Sequence, residues 1–166
     1  MMMIKDSMVL IHLAHSSVLH DSCGFFGKVL IPLSVEEEVV QKGKEKNYAD
    51  AFVVEQAIKE GKIIVKEIKN KDLVKKVDEF NIFGGEAESV ALYWQEKADL
   101  LATDDDNVRK KKDILLLNLI GTPAILLTLY KNKRISKEKM NIAIKRLREY
   151  GWFSSTVLDK LMLEVK

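Results

Sequence analysis

The sequence has a single cysteine, Cys23, so no disulfide can form within the chain, and a cytoplasmic setting is the simplest reading. Cys23 also has no CxxC partner, and His12, His15 and His20 lie at mixed spacings. They read as polar positions on a partly exposed helix pair, not as a zinc centre. No apolar run approaches the ~20 residues needed to span a bilayer. The apolar opening "MMMIKDSMVLIHLA" is broken early by Lys5 and Asp6, which argues against a signal peptide. Charge of one sign is scarce as well: the formal net charge of +2 is too small to demonstrate nucleic-acid binding by itself. Neither GxGxxG nor GxxxxGK[ST] occurs, and "FGG" at Phe83–Gly85 is too short to stand in for them, which disfavours a nucleotide-binding module.

What is present fits a folded globular chain. The hydrophobic share is 47% and the charged share 31%, and a length of 166 residues suits one domain over 1–166. No repeat and no low-complexity linker divides it. Short apolar runs alternate with longer helical patterns. Strands are expected at "MMIKD", "KVLIP", "KIIVKEI", "DLLAT" and "ILLLN". Helices are expected between them, including "SVEEEVVQKG", with Ser34 as N-cap and Glu37 closing a capping box. In "GTPAILLTLYKNKRI", Thr122 serves as N-cap and Pro123 as first helical residue. Two further helices, "SKEKMNIAIKRLREYG" and "SSTVLDKLMLEV", end the chain and either pack on the sheet or mediate dimerisation. The alternation predicts an α/β fold: a central parallel sheet of about five strands, flanked by helices on both faces.

In such sheets functional groups gather at the carboxyl ends of the strands. Asp6 ends the first strand, and Asp104 and Asp105 follow "DLLAT". Glu86 and Glu88 fall near the start of the helix after Gly84 and Gly85, and Glu36, Glu37 and Glu38 near the start of another. Acids at helix starts are favoured by the helix dipole alone, by about 0.3–1 kcal/mol. Periodicity does not choose between Glu36 and Glu38, nor between Glu86 and Glu88. A strand-end acid gains little from a dipole, so Asp6 with Asp104 and Asp105 points to a bound cation. Clustered carboxylates suit Mg²⁺ or Mn²⁺, which can activate a water against a phosphodiester. Arg109, Lys110, Lys111 and Lys112 follow directly and suit the flanking phosphates; a solvated helix face is the plain alternative.

In order, "IKDSMVLIHLA", "VLIPLSVEEEV", "GGEAESVALYW", "LLATDDDNVRK" and "NLIGTPAILLTLYKNKRI" resemble a PIN-domain ribonuclease. The match is to the small prokaryotic and archaeal branch related to the toxin nucleases of toxin–antitoxin pairs. The resemblance implies metal-dependent endonucleolytic cleavage of single-stranded RNA, frequent homodimers and, for a toxin, an antitoxin partner. It implies Asp6, Glu38, Glu86, Asp104 and Asp105 as the catalytic, metal-binding set, with Glu88 a second candidate beside Glu86. Ser7 and Thr103 would position a water or a phosphate. Two rivals stand beside it: a non-catalytic RNA-binding or scaffold domain of the same fold, and a phosphoacceptor receiver domain. The receiver expects its acidic pair at the first strand, whereas here the pair follows a late one.

Overall fold

The computed structural model describes residues 1–166. Five parallel strands form one sheet: β1 (Met2–Lys5), β2 (Lys28–Pro32), β3 (Ile63–Lys66), β4 (Leu100–Ala102) and β5 (Leu119–Ile120), in the order β3-β2-β1-β4-β5. This is the α/β architecture expected from the alternating pattern. Side chains alternate across each strand. Met3, Val29, Ile31, Ile63 and Ala102 therefore enter the larger core on one face, while Ile4, Leu30 and Leu101 enter a smaller core on the other. Both faces are dry, which is why the strands read as continuous apolar runs.

On the larger-core side pack α1 (Ser7–His15), α2 (Leu19–Phe26), α5 (Ala49–Lys59) and α9 (Thr122–Lys131). The helical run after β2 also lies here: α3 (Leu33–Glu36), a π turn (Glu37–Gln41) and α4 (Lys42–Glu45). The C-terminal α10 (Lys137–Tyr150) and α11 (Ser155–Leu163) join the same core through Met140, Ile144, Leu147, Leu158 and Leu161. They pack onto the fold itself. The other face is covered by α6 (Lys71–Asp78), α7 (Gly84–Glu96) and α8 (Asp106–Lys110).

Three local expectations are corrected. "ILLLN" is not a strand; residues 111–116 form turns and β5 begins only at Leu119. Leu116 is 83% exposed at φ +55°, Ile114 is 65% exposed, and Leu115 alone is buried, so the run has no face to offer a sheet. Ser34 does not cap its helix. Pro32 holds the N-cap position in an extended conformation (φ −75°, ψ 160°), which starts the helix two residues earlier, and the buried Ser34 hydroxyl has no partner. At α9 the cap is Gly121, with Thr122 already the first helical residue. The Thr122 hydroxyl is occupied elsewhere, as described below.

Candidate active site

The strand order reverses between β1 and β4. In open parallel sheets the crevice at that reversal, outside the carboxyl ends, is where ligands bind. Asp6 leaves β1 there and Thr103 leaves β4 beside it; the Asp6 N–H donates to the Ala102 carbonyl at 3.0 Å. Asp6 is 4% exposed and caps α1, its Oδ1 accepting from the Val9 N–H at 3.0 Å. The Thr103 hydroxyl lies beside the Asp6 carboxyl and favours its charged form. The Thr103 hydroxyl in turn accepts from the Asp105 N–H at 3.1 Å. Burial, with smaller contributions from the Asp104 and Glu86 charges, pushes the Asp6 carboxyl up to about 7, against the pull of the Thr103 hydroxyl and the Val9 N–H.

The remaining acids arrive on separate elements. Asp105 caps α8, its Oδ2 accepting from the Val108 N–H at 2.8 Å. Glu38 lies in the π turn and accepts from the Ser7 hydroxyl at 2.8 Å. The start of α7 rests against this pair: a Cβ at Gly85 would sit 3.4 Å from Glu38 Oε2 and 3.7 Å from Ser7 Oγ. Glu86 follows, half-buried. Its carboxyl is raised above the ordinary range by burial first and by the charges of Asp105 and Glu38 second. Asp6, Glu38, Glu86 and Asp105 are thus linked by mutual repulsion. Glu88 makes no side-chain hydrogen bond or ion pair and is not among the charges acting on Asp6 or Glu86.

Asp104 is placed differently from its neighbours. It is buried, and its carboxylate receives the Thr122 N–H at 2.8 Å, the Thr122 hydroxyl at 2.5 Å and His12 Nδ1 at 2.7 Å. These bonds tie β4 to α1 and to the first turn of α9. His12, read from the sequence as partly exposed, is fully buried. Its ring is enclosed by Tyr150, Trp152 and Phe153 at centroid distances of 5.4, 5.5 and 4.9 Å, and its Nε2 has no partner.

A family model described as a PIN domain matches residues 2–166. The chain belongs to the PIN-domain family. PIN domains are generally nucleases and typically use divalent metals, so the family sets the class of chemistry. Neither the curated proteins nor the solved structures that were compared yield a match.

The acids of this PIN domain suit a hard divalent cation by donor type, since all are carboxylates. As they stand, no three His, Cys, Asp or Glu side chains converge into a ready ligand cage. A cation that keeps several waters and takes only one or two carboxylates directly fits such an arrangement. Of the basic run, Arg109, Lys110 and Lys112 are exposed and make no side-chain hydrogen bond or ion pair. Lys111 is committed elsewhere: its ammonium donates to the Phe80 carbonyl. One residue beside the site went unread in the sequence. Lys5, the last residue of β1, is fully buried, with Nζ 2.7 Å from the Ser22 hydroxyl, and burial lowers its pKa. A charged residue ending an otherwise apolar strand, next to Asp6, was the available signal.

Proposed function

We propose that this PIN domain is a Mg²⁺- or Mn²⁺-dependent endoribonuclease acting on single-stranded RNA. The observation that carries the reading is the gathering of Asp6, Glu38, Glu86 and Asp105, from four separate segments, around the β1–β4 crevice. Their ionised forms are disfavoured there: burial pushes Asp6 up to about 7 and Glu86 above its usual range, and the neighbouring carboxylates add to both. A bound divalent cation would offset the repulsion, lower the pKa of a water and neutralise charge on the phosphodiester. Asp6 and Asp105 are the principal ligands in this reading, with Glu38 and Glu86 binding directly or through water. Ser7 donates to the Glu38 carboxylate, and the Thr103 hydroxyl accepts from the Asp105 N–H, so both hydroxyls fix acids in place. Asp104 positions the β4 end through His12 and Thr122, and contributes its charge from there. Arg109, Lys110 and Lys112 remain free for phosphates, and Glu88 is set aside.

A homodimer and an antitoxin partner belong to the toxin branch of the family; the nuclease reading does not depend on either. Purified protein should cleave single-stranded RNA with Mg²⁺ or Mn²⁺, and chelator or Asp6→Asn should abolish cleavage while the fold persists. Equal cleavage by wild type and Asp6→Asn, indifferent to chelator, would mean a contaminant and would reject the proposal. A folded, RNA-binding protein with no cleavage under any metal would favour the scaffold alternative.

A further inference from the structure

A cavity of about 850 Å³ is lined in part by Asp104. This is within the range of clefts that take small ligands. Its walls are of two kinds. One is apolar and aromatic: Trp152, Phe153, Val157 and Pro123. The other is charged, with Arg109 and Lys112 beside Asp104 and Asp106, and the Asp104 carboxylate is already occupied by Thr122 and His12. Trp152 is 49% exposed, a large ring left half in water at the mouth of a cleft. The ring packs on buried His12, with centroids 5.5 Å apart. Arg109 and Lys112 are exposed and make no ion pair, so both are free to meet an anion. Gly121 makes room for this arrangement: a Cβ there would lie 2.8 Å from Arg109 Nη1 and 3.1 Å from Asp104 Oδ1. Its φ of −101° is ordinary, so glycine serves space here rather than backbone shape.

We propose that this cleft is a nucleotide subsite for the single-stranded RNA substrate. One unpaired base stacks on Trp152, and the adjoining phosphate is held by Arg109 and Lys112. The proposal rests on the ribonuclease reading for its ligand class. Its residues are nevertheless distinct from the acids that would hold the cation, so each can fail alone. Stacking on an aromatic side chain contributes about 1–3 kcal/mol per base and tolerates any base, whereas an unstacked Trp ring in water gains nothing. Two unpaired cations over an apolar floor suit a phosphate attached to a base. Asp104 and Asp106, on either side of Asp105 in the chain, line the cleft, so a nucleotide bound there would flank the phosphate to be cleaved.

The test is binding without chemistry. In chelator, a ten-residue oligoadenylate should quench the tryptophan fluorescence of the full chain saturably. Trp94 is anchored to the Leu115 carbonyl at 3.0 Å and lies outside the cleft, so Trp152→Leu should remove the quenching. The double variant Arg109→Ala, Lys112→Ala should weaken binding and reduce the slope of log Kd against log salt by about 1.4, the share of two phosphate contacts on a single strand. With metal, Trp152→Leu should raise KM several-fold and leave kcat nearly unchanged. Trp152→Phe keeps an aromatic face and should restore most of the affinity, which separates stacking from loss of fold. Cleavage by wild type, with no quenching and KM unchanged in these variants, would overturn the subsite and leave the nuclease intact. Saturable quenching lost in Trp152→Leu, with no cleavage under any metal, would support the subsite and reject the nuclease.

Discussion

His12 Nδ1 stands 2.7 Å from Asp104 Oδ2, and both side chains are shut away from water. Removing the ring leaves a buried carboxylate one hydrogen bond short, at about 1–3 kcal/mol or more, and adds the cost of a cavity. His12→Ala should therefore destabilise the fold by about 3 kcal/mol or more in urea titration. Asp104→Asn keeps the shape and one acceptor for Thr122, so its loss should be smaller. If Asp104 is a positioning residue, folded Asp104→Asn retains measurable cleavage. Native-like stability with complete loss of cleavage would instead make it a metal ligand.

The Asp6 carboxyl sets a pH dependence whose sign runs against acid denaturation. Its pKa is about 7 in the fold against 3.8 ordinarily, so the folded state holds a proton that the unfolded state has released. Stability of the metal-free protein should fall as pH rises from about 4 to about 7, by up to about 4 kcal/mol from this group. Asp6→Asn should flatten the curve, and excess Mn²⁺ should reverse its slope. Thermal melts across this range, with and without metal, read the effect. A wild-type curve that matches Asp6→Asn would dismiss it.

Glu86 and Glu88 separate by the same kind of measurement. Glu86→Gln should raise metal-free stability slightly, because burial first, and the charges of Asp105 and Glu38 second, disfavour the ionised carboxylate. It should also shrink the stabilisation by Mn²⁺ by about 1 kcal/mol, read from the metal-dependent shift in melting temperature. Glu88→Gln should leave both quantities as in wild type. Reversed outcomes would exchange their roles.

Lys5 is a buried amine with one good hydrogen bond, to Ser22, and its lowered pKa records the cost of charging it there. Stability from this group should rise with pH towards the alkaline side, where the unfolded lysine also loses its proton. Lys5→Met should stabilise the protein by on the order of 1 kcal/mol at neutral pH, since a buried charge exchanged for an apolar chain of similar volume is often a gain. A large loss of stability would show that the bond to Ser22 outweighs desolvation.

Most of the frame was legible because it depends on periodicity. Strand and helix patterns differ in period, and strands buried on both faces show as unbroken apolar runs such as Val29–Ile31. "ILLLN" failed because the same composition also fits a turn that buries only Leu115. The acids were legible as residues but not as partners. That Glu86 rather than Glu88 faces Asp105 and Glu38 depends on how α7 is rotated against the π turn. Nor could sequence spacing pair Asp104 with His12, 92 positions away. The aromatic cap on His12 depends on where α10 ends, and no local signal in "EYGWF" says what that segment covers.

Asp6 stands at the end of β1, caps α1 through Val9, and forms part of the acidic gathering. The cap constrains what can replace it over evolutionary time. Asparagine caps a helix about as well as aspartate, whereas alanine gives up about 1 kcal/mol. A lineage that abandoned catalysis but kept the fold would therefore be expected to settle on asparagine or serine here, and not to drift freely. Given the ligand role proposed for Asp6, position 6 offers a mark, readable in related sequences, that would separate a silenced nuclease from a working one.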